Sequence, residues 1–142
     1  MKLVVASDEK NEFTDSVISY LEQKSHNLLL LGNLIDENKK WKWVEVGLET
    51  AQRLTNNEAE IAVLMCGSGT GVCMAANRLK GARAALCWSK EIAQQARKWD
   101  NANILCLSYE FIDKEKLPEI IDAFLETEFD EEDLNEVSKL DR

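Results

Sequence analysis

One short segment of the 142-residue sequence combines the residue types that proton-transfer chemistry uses, and it reads Cys66-Gly67-Ser68-Gly69-Thr70-Gly71. Alternating glycines let a backbone turn sharply and point several N–H groups inward, which makes a cradle for an anion at the start of a helix. A thiol in such a place forms its thiolate easily and can serve as nucleophile or general base. A tight strand–helix turn with an inert buried cysteine explains the same residues equally well. The spacing fits neither a Walker loop nor the dinucleotide-binding fingerprint.

Two further segments place polar residues beside predicted strands. The first strand ends in Ser7-Asp8-Glu9, and the fifth is preceded by Trp99-Asp100-Asn101 and followed by Ser108-Tyr109-Glu110. Ligands of open parallel sheets bind at the carboxyl ends of strands, near the point where the strand order reverses. These segments are therefore candidates for the same site as the Cys66 loop.

The elements that must position these residues follow from the hydrophobic pattern. Short apolar runs predict strands over 2–6, 28–31, 61–65, 82–87 and 104–107. Longer amphipathic segments predict helices around 13–21 and over 43–54, 71–79, 90–99 and 117–125. Strands that alternate with helices favour parallel pairing, with helices on both faces of the sheet. We expect one Rossmann-like domain over 1–142: a three-layer α/β/α sandwich with a five-stranded parallel sheet and right-handed crossovers.

Composition excludes several classes of protein. With 45% hydrophobic residues the chain can fill a core, and it has no apolar run long enough to cross a bilayer and no signal-peptide pattern. The 17 basic and 26 acidic residues give a net charge of −9, which disfavours nucleic acids and anionic membranes as partners. Four cysteines without a C-x-x-C pair, and a single histidine, His26, argue against zinc. We expect a cytoplasmic protein.

The C-terminal segment 126–142 is acidic. Residues 126–133 read ETEFDEED, so six of these eight positions carry an acid. Runs of like charge usually form solvated surface. We expect an acidic turn that leads into a short terminal helix, capped by Asp130 or Asp133.

The run CGSGTGVCMAANRLKGARAALC over 66–87, together with DNANILCL over 100–107 and the Ser-Asp after the first strand, resembles the ribose-5-phosphate isomerase B / galactose-6-phosphate isomerase subunit family. The resemblance extends to about Phe129. It implies an aldose–ketose isomerase that works through an enediol without cofactor or metal. By this resemblance Cys66 is the base, and Ser68 with the loop amides stabilises the enediolate. Asp8 belongs to the sugar-binding end.

The resemblance also implies a homodimer or homotetramer in which the sites form across an interface. Its partner is a small sugar or sugar phosphate. The family pattern and the strand ends together give the residues that we expect to bind substrate: Gly67, Gly69, Thr70, Gly71, Glu9, Trp43, Trp99, Asp100, Asn101 and Glu110.

Several positions depart from the family pattern. The usual Asp-His after the first strand is Asp8-Glu9, and the histidine that assists ring opening falls on Trp99. The following Asn-Asp pair is reversed as Asp100-Asn101, and a family tyrosine falls near Trp43. The arginine after the fifth strand falls on Glu110.

The phosphate-gripping segment also differs. Its Gly-Gly-Arg-His…Arg pattern becomes Glu131-Glu132-Asp133-Leu134…Val137, and no basic residue lies between Lys116 and Lys139. Each charge-assisted contact between arginine and phosphate is worth about 1.5–3 kcal/mol. The loss of three such contacts predicts that a phosphosugar is not held as in the relatives, whereas the half that carries Cys66 is intact.

Three interpretations remain open at this point. The first is an isomerase with an altered substrate, an unphosphorylated or positively charged sugar that Trp43, Trp88 and Trp99 contact. The second keeps a phosphosugar and grips its phosphate with other cations, for which the candidates are Lys10, Lys90, Arg97 and Lys98. The third is a non-catalytic binding or regulatory subunit.

Overall fold

The computed structural model describes residues 1–141, and its centre is a five-stranded sheet. The strands are β1 (Lys2–Ser7), β2 (Asn27–Gly32), β3 (Ile61–Cys66), β4 (Ala84–Leu86) and β5 (Ile104–Ser108). Their order is β2-β1-β3-β5-β4, and every neighbouring pair is parallel. The predicted five-stranded parallel sheet is confirmed.

Within residues 1–141, six α-helices connect and follow the strands. They are α1 (Glu12–Gln23), α2 (Trp43–Thr55), α3 (Thr70–Ala76), α4 (Lys90–Lys98), α5 (Leu117–Glu126) and α6 (Leu134–Ser138). Three short 3-10 turns cover Lys114–Lys116, Glu131–Asp133 and Lys139–Asp141. None of the helices within residues 1–141 combines the length and the apolar character that a membrane crossing requires.

The sheet separates two hydrophobic cores, which gives the predicted α/β/α sandwich. One face, which carries Leu3 and Leu105, packs against α1, α4 and α5 through side chains such as Val17 and Phe124. The other face, which carries Val4 and Leu64, packs against α2 and α3. All six residues of β3 are buried, because both of its faces are covered by helices. This explains why β3 is apolar without alternation.

The element boundaries differ from the prediction chiefly around α3 and β4. The pattern predicts a helix over 71–79, but α3 ends at Ala76 because the Asn77 side chain pairs with the β4 backbone. Asn77 Oδ1 accepts from the Ala84 N–H at 2.8 Å, and Asn77 Nδ2 donates to the Ala84 carbonyl at 2.9 Å. The strand predicted over 82–87 shrinks to three residues, because the Arg83 N–H donates to Asn103 Oδ1 rather than to a neighbouring strand.

The acidic segment forms a turn and then the short helix α6, as predicted. Asp130 caps this turn, since its carboxylate accepts the Glu132 N–H at 3.1 Å. The side chain of Asp133 makes no such bond. The tail then returns to the body of the protein, where Asp141 accepts the Gly81 N–H at 3.0 Å. Its last turn is therefore attached beside β4.

Candidate active site

The site lies where the strand order reverses. β1 and β3 are neighbours in the sheet, but the chain continues from β1 toward one side of the sheet and from β3 toward the other. Their carboxyl ends therefore border a crevice between these two connections. Asp8 directly follows β1, and Cys66 is the last residue of β3. Tyr109 follows β5, the next strand along. The topology thus places three chemically active side chains along one edge of the sheet, which we call the carboxyl edge.

A cleft of about 410 Å³ opens at this edge. The residues that line it are Asp8, Trp43, Cys66, Gly67, Ser68, Thr70, Gly71 and Met74. The structure therefore brings together three residues predicted as catalytic, Cys66, Ser68 and Asp8, and four predicted to bind substrate. Met74 was not predicted, because nothing in the sequence distinguishes this methionine from other apolar residues. It lies on α3, one turn beyond the loop, and 69% of it is exposed.

The loop after β3 needs glycine for a physical reason. Gly69 has φ +78°, a left-handed conformation, and a Cβ there would lie 2.5 Å from Leu86 Cδ1 and 3.0 Å from the Leu107 carbonyl carbon. Only glycine can lie this close to β5. The turn places the Ser68 and Thr70 hydroxyl oxygens 2.6 Å apart and lets the Thr70 N–H donate to Ser68 Oγ at 3.3 Å. Both hydroxyls stay exposed at the cleft.

Cys66 lies deeper, at the floor of the cleft. It is only 5% exposed, and its carbonyl accepts the Tyr109 N–H at 3.2 Å. The indole of Trp43 stands over the loop, since a Cβ on Gly71 would lie 2.8 Å from Trp43 Cε3. A partly exposed indole beside a thiol and hydroxyls gives the cleft one apolar wall. Such a wall suits the carbon face of a sugar.

The part of the cleft formed by Asp8 has acidic neighbours, which we call the acidic wall. Tyr109 Oη lies 3.0 Å from Asp8 Oδ1 and 3.0 Å from Glu9 Oε2. Glu110 packs against the loop, with a carboxylate oxygen 3.0 Å from the place of a Cβ on Gly67. Burial raises the pKa of Asp8, the charges of Glu9 and Glu110 raise it further, and the hydrogen bond from Tyr109 opposes them. Burial also raises the pKa of Tyr109, and the charge of Asp8 adds to this.

Tyr109 was quoted in the sequence analysis but not predicted as a site residue. A tyrosine is common in cores, and nothing in its local sequence shows that it contacts Asp8, about a hundred positions away. The topology offers a signal, however. A residue directly after a predicted strand lies at the same edge as residues that follow the neighbouring strands.

Three residues predicted to bind substrate are not near the cleft of their own chain. Trp99, Asp100 and Asn101 precede β5, so they lie at the amino edge of the sheet, the edge opposite Cys66. Asn101 lines a cavity of about 610 Å³ together with Met1 and Ile61, at the beginnings of β1 and β3. Within a single chain these three residues therefore lie apart from Cys66, and their role in substrate binding stays a prediction. In a parallel sheet, residues that precede a strand lie at one edge, and residues that follow a strand lie at the other edge.

The alternative phosphate-binding cations are engaged or lie elsewhere. Lys10 pairs with Asp15 at 3.0 Å, and Arg97 donates to the carbonyls of Ala102 and Thr127 at 2.6 and 3.3 Å. Lys98 lies over the ring of Trp99, 5.6 Å from its centroid. Lys90, the first residue of α4, does not line the cleft. Within residues 1–141, no lysine or arginine is among the residues that line the cleft.

Comparison with known proteins identifies the family. The family model described as Ribose/Galactose Isomerase matches residues 3–140, nearly the whole chain. This chain belongs to the ribose/galactose isomerase family. A relative from Mycoplasma genitalium, named a probable ribose-5-phosphate isomerase B, is 37% identical over 131 residues, which cover 90% of this chain and 85% of the relative. A relative from Pectobacterium atrosepticum, named D-erythrulose-4-phosphate isomerase, is 36% identical over 128 residues, 88% of this chain and 79% of the relative.

Solved structures of the family agree with the fold described above. The ribose 5-phosphate isomerase of Thermotoga maritima superposes with a TM-score of 0.91 at 34% identity, over 99% of this chain and 97% of that one. The Mycoplasma genitalium ribose-5-phosphate isomerase B, solved with bound ribulose-5-phosphate, gives a TM-score of 0.86 at 33% identity, over 98% and 93% of the two chains. The family assignment made from the Cys66 motif is confirmed.

Proposed function

We propose that this protein is an aldose–ketose isomerase that works through an enediol, with Cys66 as the base. The observation that carries the proposal is the position of Cys66 at the floor of a cleft whose rim holds Ser68 and Asp8. The Cys66 thiolate removes the proton from the carbon beside the sugar carbonyl. It returns that proton to the former carbonyl carbon, while the hydroxyl proton of the first carbon passes to the former carbonyl oxygen, so the aldose and the ketose interconvert with no net gain or loss of protons.

Ser68 and the loop amides stabilise the enediolate oxygen in this proposal. The glycine-rich turn fixes these donors before substrate binds, because Gly69 cannot move away from β5 without losing its close packing. Donors that are already oriented toward a developing charge cost no reorganisation when the charge forms. α3 has only seven residues, so the loop itself supplies most of this stabilisation. The loop positions the chemistry, and the acidic wall selects the sugar.

In the first form of the proposal, the substrate is not a sugar phosphate. The cleft wall carries Asp8, with Glu9 and Glu110 beside it, and its lining within residues 1–141 includes no cation. A phosphate dianion beside these carboxylates would be repelled, whereas sugar hydroxyls can donate hydrogen bonds to them. An unphosphorylated sugar, or one with a positive group, fits this wall best.

A phosphosugar is the second candidate, and one observation favours it: the relatives above are named for sugar phosphates. In that case the phosphate must reach cations outside the cleft. Arg78, Lys80 and Arg83 line a cavity of about 450 Å³ at the amino edge, together with Asp100 and Leu140. These cations were not among the predicted alternatives. They can serve the cleft only if a second copy of the chain brings its amino edge to it.

A homodimer with shared sites is part of the proposal, and the distance of the amino-edge cations from the cleft supports it. It would restore Trp99, Asp100 and Asn101 to the cleft, as the family resemblance implies. Large apolar side chains are exposed at both cavities: Met74 (69% exposed) lines the cleft, and Leu140 (63% exposed) lines the amino-edge cavity. Exposed apolar area of this kind is typical of an interface.

Complementation tests the shared site. Cys66→Ala and Asp100→Ala variants, each inactive alone, are mixed and allowed to exchange subunits. Shared sites predict a return to about a quarter of the parent activity, since half the dimers are then mixed and each holds one site with both residues intact. Mixtures that stay inactive, from a chain that sediments as a dimer, contradict shared sites.

Solvent exchange tests the chemistry. The parent, Cys66→Ala and Cys73→Ala are incubated in D₂O with aldoses and their terminal phosphate esters, and deuterium beside the carbonyl is followed by NMR. Cys73 is the matched control because its thiol donates to the Ala84 carbonyl at 3.4 Å and does not line the cleft. We expect exchange in the parent and in Cys73→Ala, and a loss of about 10²–10⁴-fold in Cys66→Ala.

The same experiment separates the three interpretations. Faster exchange with free sugars than with their phosphate esters supports the altered substrate. The reverse preference supports a phosphosugar bound by cations outside the cleft. Absence of exchange with every sugar, from a folded protein, contradicts the enzymatic proposal and favours a binding or regulatory subunit.

A further inference from the structure

The contact of Tyr109 with Asp8 and Glu9 has an unusual position. In the sheet, β3 separates β1 from β5, so the Tyr109 side chain must reach across the end of β3 to the residues after β1. Its Oη lies 3.0 Å from a carboxylate oxygen of each acid. The phenol thus connects both acids over the strand that ends in Cys66.

A phenol has one proton, so it can donate to only one of two carboxylates at a time. Glu9 is exposed and can be solvated by water, whereas Asp8 is partly buried and gains more from the donor. When Asp8 is ionised, Tyr109 donates to Asp8. When Asp8 binds a proton, it can donate to the phenol oxygen while Tyr109 donates to Glu9. In both states Asp8 keeps a partner.

The surroundings of Asp8 set the direction of its titration. The charged and titratable groups that face it are Glu9 from its own loop, and Tyr109 and Glu110 from the segment after β5. Cys66 lines the same cleft. The charges of Glu9 and Glu110 raise the pKa of Asp8, and the Tyr109 hydrogen bond lowers it. Asn33 fixes the backbone, since its Nδ2 donates to the Asp8 carbonyl.

We propose that Tyr109 is a positioning residue of the sugar site, whose hydroxyl moves its hydrogen bond between Asp8 and Glu9 and so keeps Asp8 directed at the bound sugar in both protonation states. This inference rests on the isomerase activity proposed above. It gives the acidic wall a mechanism: in both protonation states Asp8 keeps one carboxyl oxygen that can accept a hydrogen bond from a sugar hydroxyl. Glu9 then acts as the solvent-facing end of a three-residue unit.

Carboxyl NMR tests this unit without reference to activity. Protein labelled with ¹³C at the aspartate carboxyl is titrated as the parent, Tyr109→Phe, Glu9→Gln and Tyr20→Phe, with Asp8→Asn to assign the signal. Tyr20 is the matched control, because its hydroxyl lies 2.7 Å from both carboxylate oxygens of Asp122, between α1 and α5 and away from the cleft. Tyr109→Phe should make Asp8 titrate at higher pH, and Glu9→Gln should make it titrate at lower pH. Tyr20→Phe should leave it unchanged.

A titration curve of Asp8 in Tyr109→Phe that superposes on the parent's overturns the proposal. A shift of the Asp8 titration to higher pH in Glu9→Gln also overturns it. This second variant keeps the test valid even if Tyr109→Phe fails to fold.

The pH dependence of the rate shows whether the unit serves the reaction. We expect the acid limb of kcat/KM to move to higher pH in Tyr109→Phe, with a loss of about fivefold on that limb, and to stay in place in Tyr20→Phe. An unmoved limb despite a shifted Asp8 titration makes Tyr109 merely structural and overturns the proposal. If the parent shows no exchange with any sugar while Asp8 still shifts, the activity proposal is what has failed, and the positioning role of Tyr109 in the reaction falls with it.

Discussion

The two edges of the sheet carry opposite charge. At the carboxyl edge, Asp8 lines the cleft that holds Cys66, and the charges of Glu9 and Glu110 act on Asp8. At the amino edge, Arg78, Lys80 and Arg83 line a cavity of comparable size, about 450 Å³. In a chain with a net charge of −9, this cluster of cations is a local reversal of the overall field.

In the proposed homodimer, the two edges are the two halves of one shared site. The carboxyl edge has the proposed base and donors but no cation in its described lining, and the amino edge has cations and amides but no base of that kind. Each edge also depends on a glycine in the left-handed region, Gly69 with φ +78° and Gly81 with φ +91°. Matched substitutions at the two edges therefore test what each one contributes.

The largest effect should come from Gly69→Ala compared with Gly81→Ala. Both force alanine into a left-handed conformation, which costs about 1–2 kcal/mol. Only Gly69 also has a neighbour, Leu86 Cδ1, at 2.5 Å from the added Cβ. The contact near Gly81, Thr55 Cγ2 at 3.5 Å, is ordinary. We expect Gly69→Ala to lose activity by about 100-fold or more, because the loop donors move, and Gly81→Ala to keep most of it.

Thermal unfolding and exchange rates, measured on both glycine variants, check this prediction. Equal losses of activity at equal losses of stability would show that the loop after β3 has no special role. That result would erase the contrast between the two edges.

Ser68→Ala should have the next largest effect, and on activity alone. Ser68 is exposed, and its recorded partners are Thr70 groups within the loop, so the free energy of unfolding should change little. Loss of one donor to a developing oxyanion costs about 10²–10³-fold in kcat. The control is Ser138→Ala, because the Ser138 hydroxyl donates to the Asn135 carbonyl in the tail. A decrease in kcat of less than threefold for Ser68→Ala would remove Ser68 from the oxyanion site.

Much of the fold could be predicted because its signals are local. Buried strands such as β3 are uninterrupted apolar runs, and the helices have a clear amphipathic period. Boundaries failed where a side chain competes with the backbone, as Asn77 does when it bonds both polar groups of Ala84 and ends α3 early. Such competition depends on tertiary contact, which periodicity does not record.

The candidate site was predictable in part. The loop after β3 is contiguous, so its motif identified Cys66 and Ser68 directly. Tyr109 was missed because its partner Asp8 is remote in sequence, and Trp99 was expected near Cys66 although it precedes its strand. The general lesson concerns direction: in a parallel sheet, whether a residue precedes or follows its strand decides its edge.

Arg83→Met at the amino edge should reduce the stability of the fold. Arg83 Nε donates to the Asn101 carbonyl at 2.7 Å, Nη1 donates to the Gly81 carbonyl at 3.3 Å, and Nη1 lies 3.6 Å from Asp141 Oδ2. Loss of these bonds should cost about 2 kcal/mol. Lys10→Met at the carboxyl edge breaks only an exposed pair with Asp15, so it should cost much less stability than Arg83→Met. Denaturant unfolding of both variants measures the difference, and equal costs would contradict a structural role for Arg83.

The smallest effect, and the one with opposite signs at the two edges, concerns Asp8→Asn and Asp141→Asn. Because burial raises the pKa of Asp8 in the fold, its protonated form is favoured there, and its contribution to stability is lost as pH rises through that raised pKa. Neutralising Asp8 should therefore stabilise the protein at pH 7, by less than about 1 kcal/mol because Asp8 is only partly buried, and should have almost no effect near pH 3.

Asp141→Asn should have the opposite sign at pH 7. The Asp141 carboxylate accepts the Gly81 N–H at 3.0 Å and lies near Arg83, so its neutralisation should destabilise by about 0.5 kcal/mol. Unfolding of both variants at pH 7 checks the signs, and unfolding of Asp8→Asn at pH 3 checks that its effect disappears. A destabilised Asp8→Asn at pH 7 would mean that the acidic wall supports the fold. The charge at the carboxyl edge would then need no functional explanation.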